Sequence, residues 1–349
     1  MSGLRYGSLF SGCGGLDLAV ESVFGAVPAW HCELDRDAST VLAHHWPGVP
    51  NLGDITAVDW SQAPPVDILC GGFHAAETAA TCGSEWIAME QVPEVLPLWG
   101  ALAVVLRKAG YSAWTGVLNS ADFGVPQTRK RALLIASRTR CANPPDPTHS
   151  DGASLFGEAP WVSWGEALQV PDTFEAVGRR GAGMTERHGE RPPVPATEPY
   201  PAVTTGAHRR HWLLDRRTNS RGAGGTIVPT VEVPSDRPAP TVTAIAGGQW
   251  VLRNGAQANA TVRSVDRPSS TILASADNGD TQLISPAGDR YKVTVRGALV
   301  LQSFPSDFPV QGTKTDAFRQ IGNAVPPLMA AHIVAAAAGV PAPSFAGVQ

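Results

Sequence analysis

Several short strings in this 349-residue chain combine residue types and spacings that could do chemistry. Phe10-Ser11-Gly12-Cys13-Gly14-Gly15 follows an apolar run and precedes a helical pattern. Such a glycine turn lets the main chain approach a ligand, and the helix start offers free N–H groups. Glu33, at the end of a second apolar run, suits a ribose diol. Asp54, in Gly53-Asp54-Ile55, could accept a hydrogen bond from an adenine amino group. Each acid alone reads equally well as a solvated loop residue or a turn cap. Further along stand Glu90 in Met89-Glu90-Gln91-Val92, then Gln127-Thr128-Arg129-Lys130-Arg131 ahead of an apolar run. Arg267-Pro268-Ser269-Ser270-Thr271-Ile272 and Gln320-Ile321-Gly322-Asn323-Ala324-Val325-Pro326-Pro327 complete the set. His74-x-x-Glu77 with Cys82 lacks the ligand spacing of a metal site, so no metal is expected.

The elements that must position these residues are legible in the first 140 positions. Strands are expected at Tyr6–Phe10, Ala29–Glu33, Val66–Cys70, Trp86–Met89, Tyr111–Leu118 and Ala132–Ser137. Helices are expected at Asp17–Phe24, Asp37–His45 and Val95–Ala109. Strands alternating with helices predict an α/β fold with a doubly wound, mostly parallel sheet. From about Ala142 Pro and Gly become frequent and the strands short. A phrase recurs there: Glu198–Thr205, Asp236–Thr243 and Asp266–Leu273, its prolines 39 and 30 residues apart. That spacing is too irregular for a solenoid and predicts three loop-plus-strand units in a small β-rich domain. Helix returns at Thr294–Gln302 and Ala324–Ala338. The last is apolar on nearly every side, so it should pack back on the first domain.

Composition narrows the class. Hydrophobic residues make up 43% of the chain, enough for a full core. With no run of 18 apolar residues, no transmembrane helix is expected, and Met1–Arg5 lacks the build of a signal peptide. Five scattered cysteines without a C-x-x-C pair fit a reducing cytoplasm rather than a disulfide scaffold. The net charge of −4 hides a strong division. Residues 1–178 carry 9 Lys/Arg against 19 Asp/Glu, whereas residues 179–253 carry 11 Arg, no Lys and 6 acids. Guanidinium forks suit phosphates and base edges. A sequence that writes Arg for Lys throughout, with four Lys in all, would show the same bias.

In order and spacing the strings together closely resemble the cytosine-C5 DNA methyltransferases, over most of residues 4–140 and 255–338. The resemblance implies a doubly wound, Rossmann-like methyltransferase domain at 1–171. It implies a small β-rich target-recognition domain at 172–255, and a return to the first domain at 256–349. It implies S-adenosylmethionine as cofactor, lined by Phe10, Gly12, Gly14 and Ile55. Glu33 would then hold the ribose hydroxyls, Asp54 the adenine amine, and Asn323 with Val325 the methionine end. Glu90 would contact N3 and N4 of a flipped cytosine, Arg131 would reach O2, and Arg129 would brace the catalytic loop. Gln91 stands where the family has Asn. Double-stranded DNA is the implied partner, read by Arg209, Arg210, Arg216, Arg217 and Arg221 in the Arg-bearing segment.

One departure bears on activity. The family's nucleophile is the Cys of P-C-Q just after the glycines that close the third of these strands. Here Cys70-Gly71-Gly72-Phe73 is followed by His74-Ala75-Ala76, so Ala75 occupies the nucleophile position. Only 13 residues separate Gly72 from Trp86, against a long loop and helix in the family. A helix over Ala76–Cys82 would span about 10 Å, near the minimum for a crossover. The resemblance implies a thiolate adding to C6 to activate C5. Losing a nucleophile elsewhere costs on the order of 10⁶ in rate. Cys82 is a poor substitute, placed toward the far side of the shortened crossover. Three readings remain open: a severely impaired methyltransferase homologue, a non-catalytic partner or regulator of an active methyltransferase or restriction system, or an internal deletion around residues 73–86.

Overall fold

The computed structural model describes residues 3–72, 82–152, 157–168, 174–176, 251–254, 261–272, 281–284 and 290–342. Six strands build its central sheet: β1 (Arg5–Leu9), β2 (Val27–Cys32), β3 (Ile68–Gly71), β4 (Trp86–Gln91), β5 (Ser112–Asn119) and β6 (Lys130–Ser137). Their order is β2-β1-β3-β4-β6-β5. β1, β2, β3 and β4 pair in parallel, while β6 runs antiparallel to both β4 and β5. The fold is therefore α/β and doubly wound, with one reversed strand in an otherwise parallel sheet.

Strand periodicity sorts the core into two layers. Tyr6, Ile68, Cys70, Ala88, Leu133 and Ile135 face one side, with α1 (Gly15–Phe24) packed there. Leu9, Leu69, Ile87, Met89, Leu134 and Ala136 face the other, against α3 (Leu96–Lys108), whose Trp99, Ala103 and Leu106 enter the layer. Alternation with period two makes this partition, since successive side chains of a strand point to opposite faces. Between them in sequence lies α2 (Arg36–His45), capped by Asp35, whose carboxylate accepts from the Asp37 and Ala38 amides.

A one-turn helix α4 (Trp164–Ala167) is followed, far along the chain, by α5 (Val295–Leu301), α6 (Lys314–Asn323) and α7 (Pro327–Ala338). The sequence pattern predicts a single helix from Ala324. Instead Ala324-Val325-Pro326 is extended, because Pro326 and Pro327 lack the N–H groups a continuing helix needs, and α6 precedes it with a Thr313–Asp316 capping box. By length and composition alone the stretch Lys314–Ala338 passes for a membrane span. It is a core element: 72% of its apolar window is buried, and Met329, Ile333 and Val334 pack in the layer that holds α1.

The chain divides into two compact units. The first comprises Met1–Thr173, Val265–Asn278 and Thr294–Gln349, and the second Phe174–Ser264 with Gly279–Val293. The described part of the second is an antiparallel sheet ordered 261–264, 251–254, 281–284, 290–293, 174–176. Of the three recurring phrases, the first two lie outside the described residues. The third was expected in the β-rich domain but belongs to the first unit. There Ser269 bridges Gln127, and the Thr128 amide donates to the Ser269 carbonyl at 2.8 Å.

Candidate active site

The strand order reverses beside β1: the chain passes from β1 to β2 on one side, then to β3 on the other. In open α/β sheets a crevice forms at such a switch point, beyond the carboxyl ends of the strands. The glycine turn after β1 and Gly71-Gly72 at the end of β3 stand at that place. Phe10 lies outside the predicted strand, at φ 50°, the residue 47% exposed and its amide bonded to the Cys32 carbonyl at 2.8 Å. A side chain on Gly72 would lie 3.5 Å from the Phe10 ring. An exposed aromatic held in a left-handed conformation is a cost the surrounding bonds sustain, which is typical of ligand clamps.

Glycine is obligatory twice in the turn. Gly14 takes φ 88°, and a Cβ there would lie 2.3 Å from the Trp46 ring. At Gly15 the added carbon would meet the Val325 carbonyl oxygen at 2.1 Å, so the turn sits directly against the segment after α6. Half-buried Glu33 closes the turn from β2. Its Oε2 accepts from the Gly12 amide at 2.8 Å and its Oε1 from the Asp35 amide at 2.7 Å. Each carboxylate oxygen retains a second lone pair. Asn51, which has no signal in the sequence, fixes Glu33 by accepting from its amide at 2.9 Å and donating to its carbonyl at 3.0 Å.

Asp54 is exposed, and its Oδ1 accepts from the Thr56 amide at 2.9 Å and the Thr56 hydroxyl at 2.8 Å. Those two bonds hold its carboxyl below the usual range. The Cys32 thiol donates to the Gly53 carbonyl at 3.2 Å, joining this turn to β2. Ile55 is partly buried against the layer that holds α3. Asn323 ends α6 and is exposed, while Val325 packs on the other layer.

Glu90 and Arg131 meet at the same edge of the sheet. Glu90 pairs with Leu133 across β4 and β6, and Arg131, two residues earlier, therefore shares its face. Their Oε1 and Nε atoms lie 2.8 Å apart. Burial pushes the Glu90 carboxyl up, and Arg129 and Arg131 oppose that rise. Arg129 is 2% exposed and donates to the Gly322 carbonyl at 2.9 Å. Burial beside Arg131 brings its guanidinium down to about 10, with Glu90 acting against the shift.

No described cysteine stands ready at this edge. Cys82 precedes β4, at the opposite edge of the sheet, about 20 Å from the carboxyl end of that six-residue strand. Burial pushes its thiol up, and does the same to Cys13 (to about 12), Cys32 (to about 11) and Cys70. Ala75, with His74 and Glu77, lies outside the described residues, as do Arg209, Arg210, Arg216, Arg217 and Arg221.

Residues 4–73, 85–163 and 202–338 match the family model of the C-5 cytosine-specific DNA methylases. The chain belongs to this family. It is 27% identical over 354 residues to the type II methyltransferase M.NgoFVII of Neisseria gonorrhoeae, covering 92% of this chain and 82% of that one. It is 31% identical over 166 residues to the type II methyltransferase M.HhaI of Haemophilus parahaemolyticus, covering 40% and 50%. Among solved structures it is similar in fold to the Dnmt2 methyltransferase of S. pombe, with a TM-score of 0.57 and 13% identity over 97% of this chain and 99% of that one. Members of the family use S-adenosylmethionine as methyl donor. Exposed Phe10, the open glycine turn and the half-buried Glu33 carboxylate at the switch point are a donor set that fits an adenosyl group.

Proposed function

We propose that this C-5 cytosine methylase homologue binds S-adenosylmethionine and duplex DNA but transfers methyl groups to cytosine C5 very slowly. Phe10, Gly12, Gly14 and Ile55 would line the adenosine, Glu33 would take the ribose hydroxyls and Asp54 the adenine amine. Asn323 and Val325 would face the methionine end. When bound, the cofactor supplies the methyl group. The Arg-bearing segment with Arg209, Arg210, Arg216, Arg217 and Arg221 would contact duplex DNA.

The observation that carries this reading is the shared edge: Glu90, paired with Arg131, lies at the carboxyl end of β4, and the glycine turn follows the carboxyl end of β1, which runs parallel to it in the same sheet. Glu90 in that setting would hold a proton at cytosine N3, and Arg131 would donate to O2. What is missing is covalent activation. Ala75 has no group able to add to C6, and the buried thiols elsewhere are held protonated. Uncatalysed C5 is a weak nucleophile, so the expected loss is on the order of 10⁶ in rate. A binding role beside an active methyltransferase, within a restriction–modification system, follows if ligand affinity persists without turnover. The bonds that order Glu33 and Asn51 favour such persistence.

Mapping of 5-methylcytosine in a methylation-free host expressing the chain tests the reading. It should show no new methylated motif, while calorimetry shows S-adenosylhomocysteine binding. A reproducible methylated motif would refute the impairment, and absence of binding at millimolar cofactor would refute the cofactor placement.

A further inference from the structure

The carboxyl end of α6 leaves backbone carbonyls without partners inside the helix. Side chains from elsewhere satisfy them in turn. Gln302 donates to the Ile321 carbonyl at 2.6 Å, and Arg129 donates to the Gly322 carbonyl at 2.9 Å. A cation at this end also opposes the helix dipole. The next residue is Asn323, and two further on Val325 presses its carbonyl against Gly15. On its other side Arg129 is two residues from Arg131, whose Nε lies 2.8 Å from Glu90 Oε1, so Glu90 stands in the same cluster of charges. One buried guanidinium thus touches the main chain behind Asn323 and feels the charge of Glu90.

We propose that Arg129 is a positioning residue that sets the end of α6, and with it Asn323, and that it links the Glu90–Arg131 pair to the cofactor crevice. The inference rests on the cofactor placement proposed above and deepens it. Arg129 touches neither ligand. Its effect runs through the Gly322 carbonyl, whose direction fixes the peptide that presents Asn323. A change of charge at Glu90 alters the balance on Arg129 and so reaches the cofactor side without contact.

The test is calorimetric titration of the full chain with S-adenosylhomocysteine, in a cycle of Arg129→Met, Glu90→Gln and both. Arg129→Met should weaken affinity about tenfold at unchanged stoichiometry, and Glu90→Gln about threefold in the wild-type background but not beside Arg129→Met. Arg129→Lys, which keeps the charge and one donor, should restore affinity to within about threefold of wild type. A residue that only holds the fold would lower the melting temperature and the stoichiometry of binding, leaving the affinity of the folded fraction intact; that result overturns the proposal. Additive effects of the two substitutions overturn the link. If Arg129→Met does not fold, the cycle is run with Arg129→Gln, which removes the charge but can still donate to the Gly322 carbonyl. A Glu90→Gln effect of equal size in both backgrounds is then the refuting outcome. A wild-type chain that fails to bind sinks the proposed function and this inference with it, whereas binding that is indifferent to Arg129 sinks the inference alone.

Discussion

The carboxylate of Glu90 on β4 and the guanidinium of Arg131 on β6 face each other at 2.8 Å, with both side chains largely buried. Antiparallel pairing puts the end of one strand beside the start of the other, so the two charges share one face at one edge. Burying a charge is costly unless it is paired.

Arg131→Met should therefore destabilise the chain by about 2 kcal/mol at pH 7, because it strands the Glu90 carboxylate. The sign with pH follows from the raised Glu90 carboxyl. Stability associated with the protonated form is full below the unfolded value of the carboxyl and is lost as pH rises through the folded one. Removing Arg131 pushes the folded value higher still. Urea unfolding should show a penalty that shrinks toward pH 4.5; a penalty independent of pH would contradict this account.

Substitutions in the glycine turn should separate strain from collision. Gly12 has φ 55° and open space around it, so Gly12→Ala should cost only about 1 kcal/mol of backbone strain. Gly15→Ala drives a carbon into the Val325 carbonyl and should cost about 3 kcal/mol or more, with loss of cofactor binding. Thermal unfolding of the two variants measures the contrast, and equal midpoints would show that α1 can move away from Val325.

His332 on α7 is largely buried, with its ring 5.2 Å from that of Phe123, and is pushed down to about 4 by burial and by His149. His149 is itself lowered, chiefly by burial. The unfolded chain takes up the His332 proton near pH 6.5 while the native one refuses it until about pH 4. Stability should fall as pH drops through that window, by on the order of 1 kcal/mol once solvent screening is allowed for. Denaturant midpoints for wild type and His332→Gln between pH 7.5 and 4.5 provide the check. The variant should lose less stability on acidification.

Arg319 on α6 reaches Asp35 at 2.5 Å and Asp37 at 3.0 Å, tying α6 to the start of α2. These groups are about a third exposed, so Arg319→Ala should cost at most about 1 kcal/mol, and less in 1 M salt. The Asp35 carboxyl is held low by the Ala38 amide and by Arg319. Its contribution is present above its ordinary range and disappears as pH falls through the lowered value. Melting curves at two salt concentrations would reveal a larger, salt-independent loss if the bridge were structural in some other way.

The sequence by itself determined the alternation of strands and helices, the glycine turn and the order of the site strings. These rest on local periodicity and on residue types with few physical uses. Phe10 departed from its expected strand because the turn needs it at positive φ, and α6 escaped notice because its Thr313–Asp316 cap lies in a polar stretch. Only the tertiary structure decided that β6 runs against its neighbours, which brings Arg131 to Glu90. It alone turned Arg129 inward to Gly322, 193 positions away, and placed Asn51 beneath Glu33. A buried cation must find a carbonyl or a carboxylate, and which one it finds depends on how distant segments pack rather than on its neighbours in the chain.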